Sequence, residues 1–443
     1  MFKKLSIFRG GFTREAAQSV AEASLHDLTM LVNKSLLKRD LESGRYEVHE
    51  LLRQYAEEKL TEGEREVVLD RHCKYYMEFL AHSQTALRYG QQQEALAAMD
   101  NIRAAWYRSV ARAQVSSIRK AISSLEWIYE IQGWYQEAQS TFTLAASALR
   151  TDGLTGERAI AFGVVLGSSG FFSIRLGDVQ KGHQLMREGL AILRSLDARL
   201  EIADCLMKMT DMPGAKEDYV EDKRYAQEAH DLYVELGVKW GIGHTFNTLG
   251  NVAIEHEKYE EAEQYYWQGL QLERESSNPR SIGWALMGLG EAAIGLGKYE
   301  EARQHLLEGL IQSQEIGYQI QVGTILARLG EADYALGNYQ EARQYWCDAL
   351  QIGVETHMPT VTLLSLVGLS RLMLQENMGA QAVEILALAK QHPGGVRAVG
   401  RQAGHQLEEL KAYIPHDVFQ IAVERGERLE LDAVAAELLT RYA

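Results

Sequence analysis

Proline is scarce in this 443-residue chain, which has five, and that scarcity leaves long helices uninterrupted. Cysteine is scarcer: Cys73, Cys205 and Cys347 lie far apart with no CxxC pair. Their spacing excludes a disulfide framework and a zinc site of clustered thiols, and it suits buried free thiols in a reducing compartment. No run of the ~18–20 consecutive apolar residues of a membrane span occurs. The opening Met1-Phe2-Lys3-Lys4-Leu5 lacks the sustained apolar run and small-residue cleavage site of a signal peptide. The expected location is cytoplasmic, with no membrane partner. Positive charge is in deficit, 46 Lys and Arg against 61 Asp and Glu for a net charge of −15. This argues against a general nucleic-acid surface, which needs clustered cations.

The signatures of catalysis are missing too. No GxxxxGK[ST] loop is present to cradle phosphates, and Gly297-Lys298-Tyr299 reads as a turn. His49-Glu50 and His256-Glu257 lack the second histidine of a zinc-binding HExxH helix. Ser117-Ile118-Arg119-Lys120 matches SxxK without its SDN or KTG partners, and Gly167-Ser168-Ser169-Gly170 falls short of the GxSxG elbow. We therefore expect no enzyme activity, metal or cofactor in this chain.

What is present is repetition. Gly250-Asn251-Val252-Ala253 leads through Lys258-Tyr259-Glu260-Glu261-Ala262. Gly290-Glu291-Ala292-Ala293 and Gly330-Glu331-Ala332-Asp333 lead through Tyr299 to Ala302 and through Tyr339 to Ala342, at a constant spacing of 40 residues. A fixed period of this size marks a stack of helix hairpins in which each unit covers only its neighbours. The small residues Gly250, Gly290, Gly330, Ala262, Ala302 and Ala342 are expected where helix A of a hairpin meets helix B. Gly297 and Gly337 suit the left-handed end of helix A, and Tyr259, Tyr299 and Tyr339 are expected to plug the joint. Less regular copies are read around Gly133, around Gly170–Gly182, around Thr210, Pro213, Glu217 and Tyr219, and around Gly379 and Ala382. The pattern resembles the tetratricopeptide repeat, lengthened by longer connections. That resemblance implies an all-α, right-handed superhelix of about seven helix hairpins over residues 118–390, closed by a helical cap over 391–443.

Residues 1–60 differ. Thr13 is placed to cap a helix through Val20, Leu25–Asn33 reads as a second helix, 35–39 and 45–49 as a hairpin, and 50–60 as a third helix. Helix, helix, hairpin and helix make a winged-helix pattern, joined to the repeats by a helical connector over 61–117. The phrases LSIFRGGFTREAA, LVNKSLL and RYEVHELLRQYA, with Met99-Asp100-Asn101-Ile102-Arg103-Ala104-Ala105-Trp106 further on, resemble the signal-transduction ATPases with numerous domains. In that family such a winged helix follows a nucleotide-binding domain and precedes a repeat sensor. Val48-His49-Glu50 stands where the family has methionine-histidine-aspartate, so the resemblance implies that His49 would sense the β-phosphate of ADP held by that other domain. ADP and ATP are implied only for the longer relative, and the expectation is that this chain begins downstream of the ATPase core. With ten Lys and Arg against nine Asp and Glu, residues 1–60 carry no strong positive field for DNA.

The tetratricopeptide resemblance also implies a ligand groove lined by the A helices. On this register its rows hold His244, Asn247, Asn251 and Glu255 in the fourth copy, and Trp284, Met287 and Glu291 in the fifth. Thr324, Arg328, Glu331 and Tyr334 follow in the sixth, and Arg371 in the seventh. The expected function is the regulatory half of such an ATPase. Its repeats would bind a protein or peptide, and its winged helix would couple that event to the chain's own nucleotide-binding domain. The alternative is a free-standing scaffold that clamps a short peptide.

Overall fold

The computed structural model describes residues 1–89, 91–210, 219–392 and 397–442. They form an all-α repeat superhelix in two compact units, residues 1–176 with 184–201, and 177–183 with 202–443.

The first unit opens with α1 (Phe2–Leu5), α2 (Arg14–Ala21) and α3 (Leu25–Asn33), then β1 (Lys38–Arg39), β2 (Tyr46–Glu47) and α4 (Glu50–Glu58). Local chemistry fixes the helix starts. The Thr13 hydroxyl accepts the Ala16 N–H at 3.2 Å, and Ser24 and Asp27 cap each other's backbone reciprocally at the head of α3. The strands pair antiparallel, Lys38 with Glu47 and Arg39 with Tyr46. Phe12 adds a third rung, exchanging backbone hydrogen bonds of 2.9 and 2.8 Å with Tyr46. That rung places Phe12 between Phe8 and Tyr46, with ring centroids 4.3 and 6.1 Å apart.

Four helices follow: α5 (Glu62–His82), α6 (Gln84–Arg88), α7 (Gln93–Ala97) and α8 (Met99–Ala111). On α8, Asn101 is fully buried, takes the Arg9 backbone N–H at 2.8 Å and donates to the Gly11 carbonyl at 3.2 Å. The same Oδ1 lies 3.0 Å from His72 Nε2 on α5. Two residues along α8, Arg103 bonds Glu137 at 2.6 and 2.8 Å and lies 4.9 Å from the Trp134 ring centre. One helix thus grips the N-terminal turn with one side chain and the first repeat hairpin with another.

That hairpin is α9 (Val115–Gln132) and α10 (Tyr135–Leu149), followed by α11 (Gly156–Arg175), α12 (Val179–Ser195) and α13 (Arg199–Thr210). Helix α11 is long and apolar enough, by length and composition, to cross a membrane, although no such run stands out in the sequence. It serves here as a core helix, with 78% of its apolar window buried, and its Phe172 stacks on Phe142 at 5.8 Å. Ser168, from the near-match to a nucleophile elbow, lies inside this helix and bonds Glu126 at 2.5 Å.

The second unit continues the hairpins: α14 (Tyr219–Leu236), α15 (Lys239–Glu255), α16 (Tyr259–Ser276), α17 (Pro279–Gly295), α18 (Tyr299–Glu315), α19 (Gln319–Ala335), α20 (Tyr339–Glu355), α21 (Pro359–Gln375) and α22 (Gly379–Gln391). It ends in α23 (Arg397–Leu410), α24 (His416–Gly426) and α25 (Leu431–Tyr442). The expected markers Pro213 and Glu217 of the degenerate third copy lie outside the described residues.

Two details differ from the sequence reading. The period is punctuated twice. Residues 257, 297, 337 and 377 end the A helices with left-handed φ of 58°, 73°, 85° and 61°, and residues 197, 237, 277, 317 and 357 end the B helices at 48°, 65°, 52°, 67° and 52°. Two of the five in the second set are glycine, Gly237 and Gly317, so a search for Gly sees that set only in part. Of the tyrosines that open helix B, Tyr259 is half-buried against the core and Gly295, and Tyr299 is half-buried, whereas Tyr339 is 46% exposed and does not plug its joint. Tyr266, Leu306 and Trp346 fill the joints, each fully or almost fully buried. A Cβ on Gly250, Gly290 or Gly330 would stand 2.6, 2.5 or 2.5 Å from their side chains. Gly288 and Gly368 press on Tyr266 and Trp346 from the next hairpin, where a Cβ would come within 2.3 and 2.2 Å. Both rings are therefore clamped between glycines of two successive A helices, and overpacking there costs roughly 1–3 kcal/mol.

Candidate ligand groove

The residues projected onto the groove divide into three groups. The first is spent on packing. The Tyr266 hydroxyl, on a fully buried ring, donates to Asn251 Oδ1 at 2.6 Å. Met287 lies in the core with Trp284 packed against it, and the Thr324 hydroxyl returns to its own helix at the Ile320 carbonyl, 2.9 Å away. The second group stands apart in the fourth copy. Half-buried His244 lies 6.4 Å from the Trp240 ring. Asn247 is 2% exposed, and its Oδ1 has no hydrogen-bond partner among the described residues.

The third group is a charged network that crosses three A helices. Arg328 on α19 pairs with Glu291 on α17 and, at 3.0 Å, with Glu331 on its own helix. Arg371 on α21 lies 3.8 Å from Glu331 and stacks 5.7 Å from the centre of the Tyr334 ring. Arg328 is 8% exposed. Burial opposes its charge, but the carboxylates of Glu291, Glu331 and Glu255 outweigh that effect and hold the guanidinium above its ordinary range. Tyr266 is pushed well above the usual phenol range by burial, with Glu291 and Glu255 adding to it. An arginine this buried is costly to strip of one carboxylate, which couples the groove chemistry to the stack itself. Beside Arg328 is a water-sized cavity of about 10 Å³, lined also by Glu331, Trp346, Arg371 and Gln402.

The sequence reading missed the residues that meet this network. Helix α23 turns Val399, Ala403, Leu407 and Leu410 into the same core as α21 and α22, and its polar side chains reach back along the stack. Gln402 Nε2 donates to Glu331 at 2.9 Å, and its Oε1 accepts from Arg328 at 3.5 Å. Gln406 lies 3.2 Å from the Ser370 hydroxyl. Arg401 bonds the carbonyls of Glu255 and Ile254 at the end of α15 and lies 3.3 Å from the Glu257 carboxylate. No repeat register predicts this, because α23 lies beyond the periodic region; its 3–4 spacing of apolar residues is the signal that was available.

His49 belongs to the first unit. It is exposed, stands at the N-cap of α4 and accepts the Leu51 N–H at 3.3 Å on Nδ1. Among the described residues there is no group of His, Cys, Asp and Glu side chains able to hold a metal.

Residues 281–353 match the tetratricopeptide repeat family. Among solved structures, the chain resembles a Rap protein complexed with competence and sporulation factor, at 13% identity and a TM-score of 0.57 over 84% of this chain and 97% of that one. It also aligns with a signal transduction ATPase with numerous domains that carries a tetratricopeptide repeat sensor, from Pyrococcus horikoshii. That match has 14% identity and a TM-score of 0.48, over 100% of this chain and 64% of that one. Over 154 residues the chain is 33% identical to a candidate HTH-type transcriptional regulator of Mycobacterium bovis, covering 32% of this chain and 18% of that protein. The chain therefore spans less than a fifth of the length of the curated relatives it matches. The fold is that of tetratricopeptide-like repeats.

Proposed function

We propose that this chain is the sensing and relaying half of a signal-transduction ATPase. Its repeats would capture a protein or peptide, and its N-terminal winged helix would pass that event to a nucleotide-binding domain. The observation that carries this reading is the Glu291–Arg328–Glu331–Arg371 network, because a repeat stack needs no charges inside its curve for its own packing. The likeness to a Rap protein holding competence and sporulation factor supports capture of a ligand by a stack of this kind. Coupling would run through α8, whose Asn101 and Arg103 hold the N-terminal turn and the first hairpin from one rigid helix. His49 would touch ADP only in the longer protein, and the switch works only if the ligand binds the open arrangement more tightly than the closed one. The chain itself is proposed to be non-enzymatic, cytoplasmic and without a cofactor.

The test is native mass spectrometry of the chain after incubation with a peptide extract of the producing cells. A discrete added mass should be present on the wild-type chain and absent from Glu255→Gln/Arg371→Gln, whose circular-dichroism spectrum should remain that of the folded chain. Equal retention by both chains would remove the groove from consideration. In a longer protein with an in-frame phosphate loop, His49→Ala should speed ADP release. Without such a loop upstream, the free-standing scaffold becomes the better account.

A further inference from the structure

The groove already has an occupant. Helix α23 packs on α21 and α22 and reaches further back through single side chains, Arg401 to the end of α15 and Gln402 to α19, with Gln406 on α21. A simple terminal cap would need only to cover the last apolar face, as Val399, Ala403, Leu407 and Leu410 do. It would not need to send an arginine back three copies. We propose that α23 is an intramolecular stand-in for the ligand, and that the ligand is a basic peptide segment whose cation takes the place of Arg401.

The charges select that chemistry. On the repeat side, Glu257, Glu291 and Glu331 are set among the two cations Arg328 and Arg371, which pair with Glu291 and Glu331. The excess is negative and sits toward the fourth copy, where Arg401 supplies the third cation. There the carbonyls of Ile254 and Glu255 also present the negative end of α15. Glu257 adds its carboxylate from a left-handed backbone of φ 58°, where the next two copies have glycine, so a side chain is kept where the backbone favours none. The stand-in fits imperfectly. Arg328 Nε and Gln406 Nε2 are buried donors without a hydrogen-bond acceptor among the described residues, and the water-sized cavity lies at the Gln402 contact. A segment that keeps the cation and brings acceptors to those two donors would bind better than α23 does and would displace it.

This inference rests on the reading that the groove binds a ligand, and the experiment separates the two. Hydrogen exchange is followed across the full chain and its Arg401→Ala/Gln402→Ala variant. Alongside, a fluorescent synthetic peptide of residues 397–411, and the same peptide with Arg401→Glu, are titrated into both chains. Loss of two polar contacts should speed exchange in α23 about tenfold while leaving α19 unchanged. The wild-type peptide should bind the variant about tenfold more tightly than the intact chain, whose own helix competes at high effective concentration. The Arg401→Glu peptide should not bind. If α23 exchanges only together with α21 at the same rate in both chains, it is core and the stand-in is overturned, while the binding reading still rests on the Glu255/Arg371 variant. If α23 loosens but neither peptide binds either chain, the groove reading falls and the basic ligand with it. Equal binding of the two peptides overturns the requirement for a cation.

Discussion

At the scale of residues, the same position type does different work in successive copies. Asn251, Glu291 and Glu331 share one register position, yet Asn251 satisfies the hydroxyl of buried Tyr266 whereas the two glutamates pair with Arg328. The difference follows from the plug residue. Tyr266 has a polar tip to satisfy, Leu306 has none, and Trp346 gives its Nε1–H to the Ala327 carbonyl at 3.0 Å. Asn251→Ala should therefore cost about 1–3 kcal/mol in urea unfolding by leaving a buried hydroxyl without its acceptor. Adding Tyr266→Phe should return most of that loss. A neutral single variant would show that the hydroxyl finds another partner.

At the scale of elements, each helix hairpin is set by its ends. The left-handed residues at both ends let 17-residue helices reverse direction with very short turns, and some of them carry side chains in a conformation that favours glycine. His357, exposed at φ 52° between α20 and α21, is the clearest case. His357→Gly should stabilise the chain by roughly 0.5–1 kcal/mol, because the Cβ penalty of the left-handed turn disappears while the connection stays the same length. Thermal unfolding checks this, and an unchanged or lowered midpoint would mean that the turn carries no such strain.

At the scale of the molecule, the two units should respond to pH in opposite directions. In the first, burial holds the His72 imidazole down at about 4, despite its hydrogen bond to Asn101. A depressed histidine contributes stability that is full above its unfolded value near 6.5 and is lost as pH falls toward 4, since only the unfolded chain takes the proton readily. In the second, burial lifts the Glu273 carboxyl to about 7 from 4.5, against hydrogen bonds from Ser276 and Ser281. A raised carboxyl contributes stability that is full below its unfolded pKa and is lost as pH rises through 7. Each group contributes roughly 3 kcal/mol at most. Hydrogen exchange between pH 5 and 8 should show the α5–α8 region loosening on the acid side and the α16–α17 region on the alkaline side. Glu273→Gln should abolish the second trend, and its persistence in that variant would exclude Glu273 as the cause.

Much of this architecture was legible in the chain itself. A 40-residue period of small residues determines hairpins that pack at a fixed spacing, because Gly and Ala are required wherever two helices approach closely. The capping of α2 by Thr13 and the turn between the two strands are equally local, decided by hydrogen bonds within a few residues. Periodicity could not reveal which large side chain fills each joint, since Tyr266, Leu306 and Trp346 share a place and a volume but not a residue type. Nor could it place Arg401 beside Glu257, since these residues are 144 positions apart and meet only when the stack has curved and α23 has folded against it. Local repetition decides how the helices are made. The pairing of charges across them is decided only by contacts that no local pattern encodes.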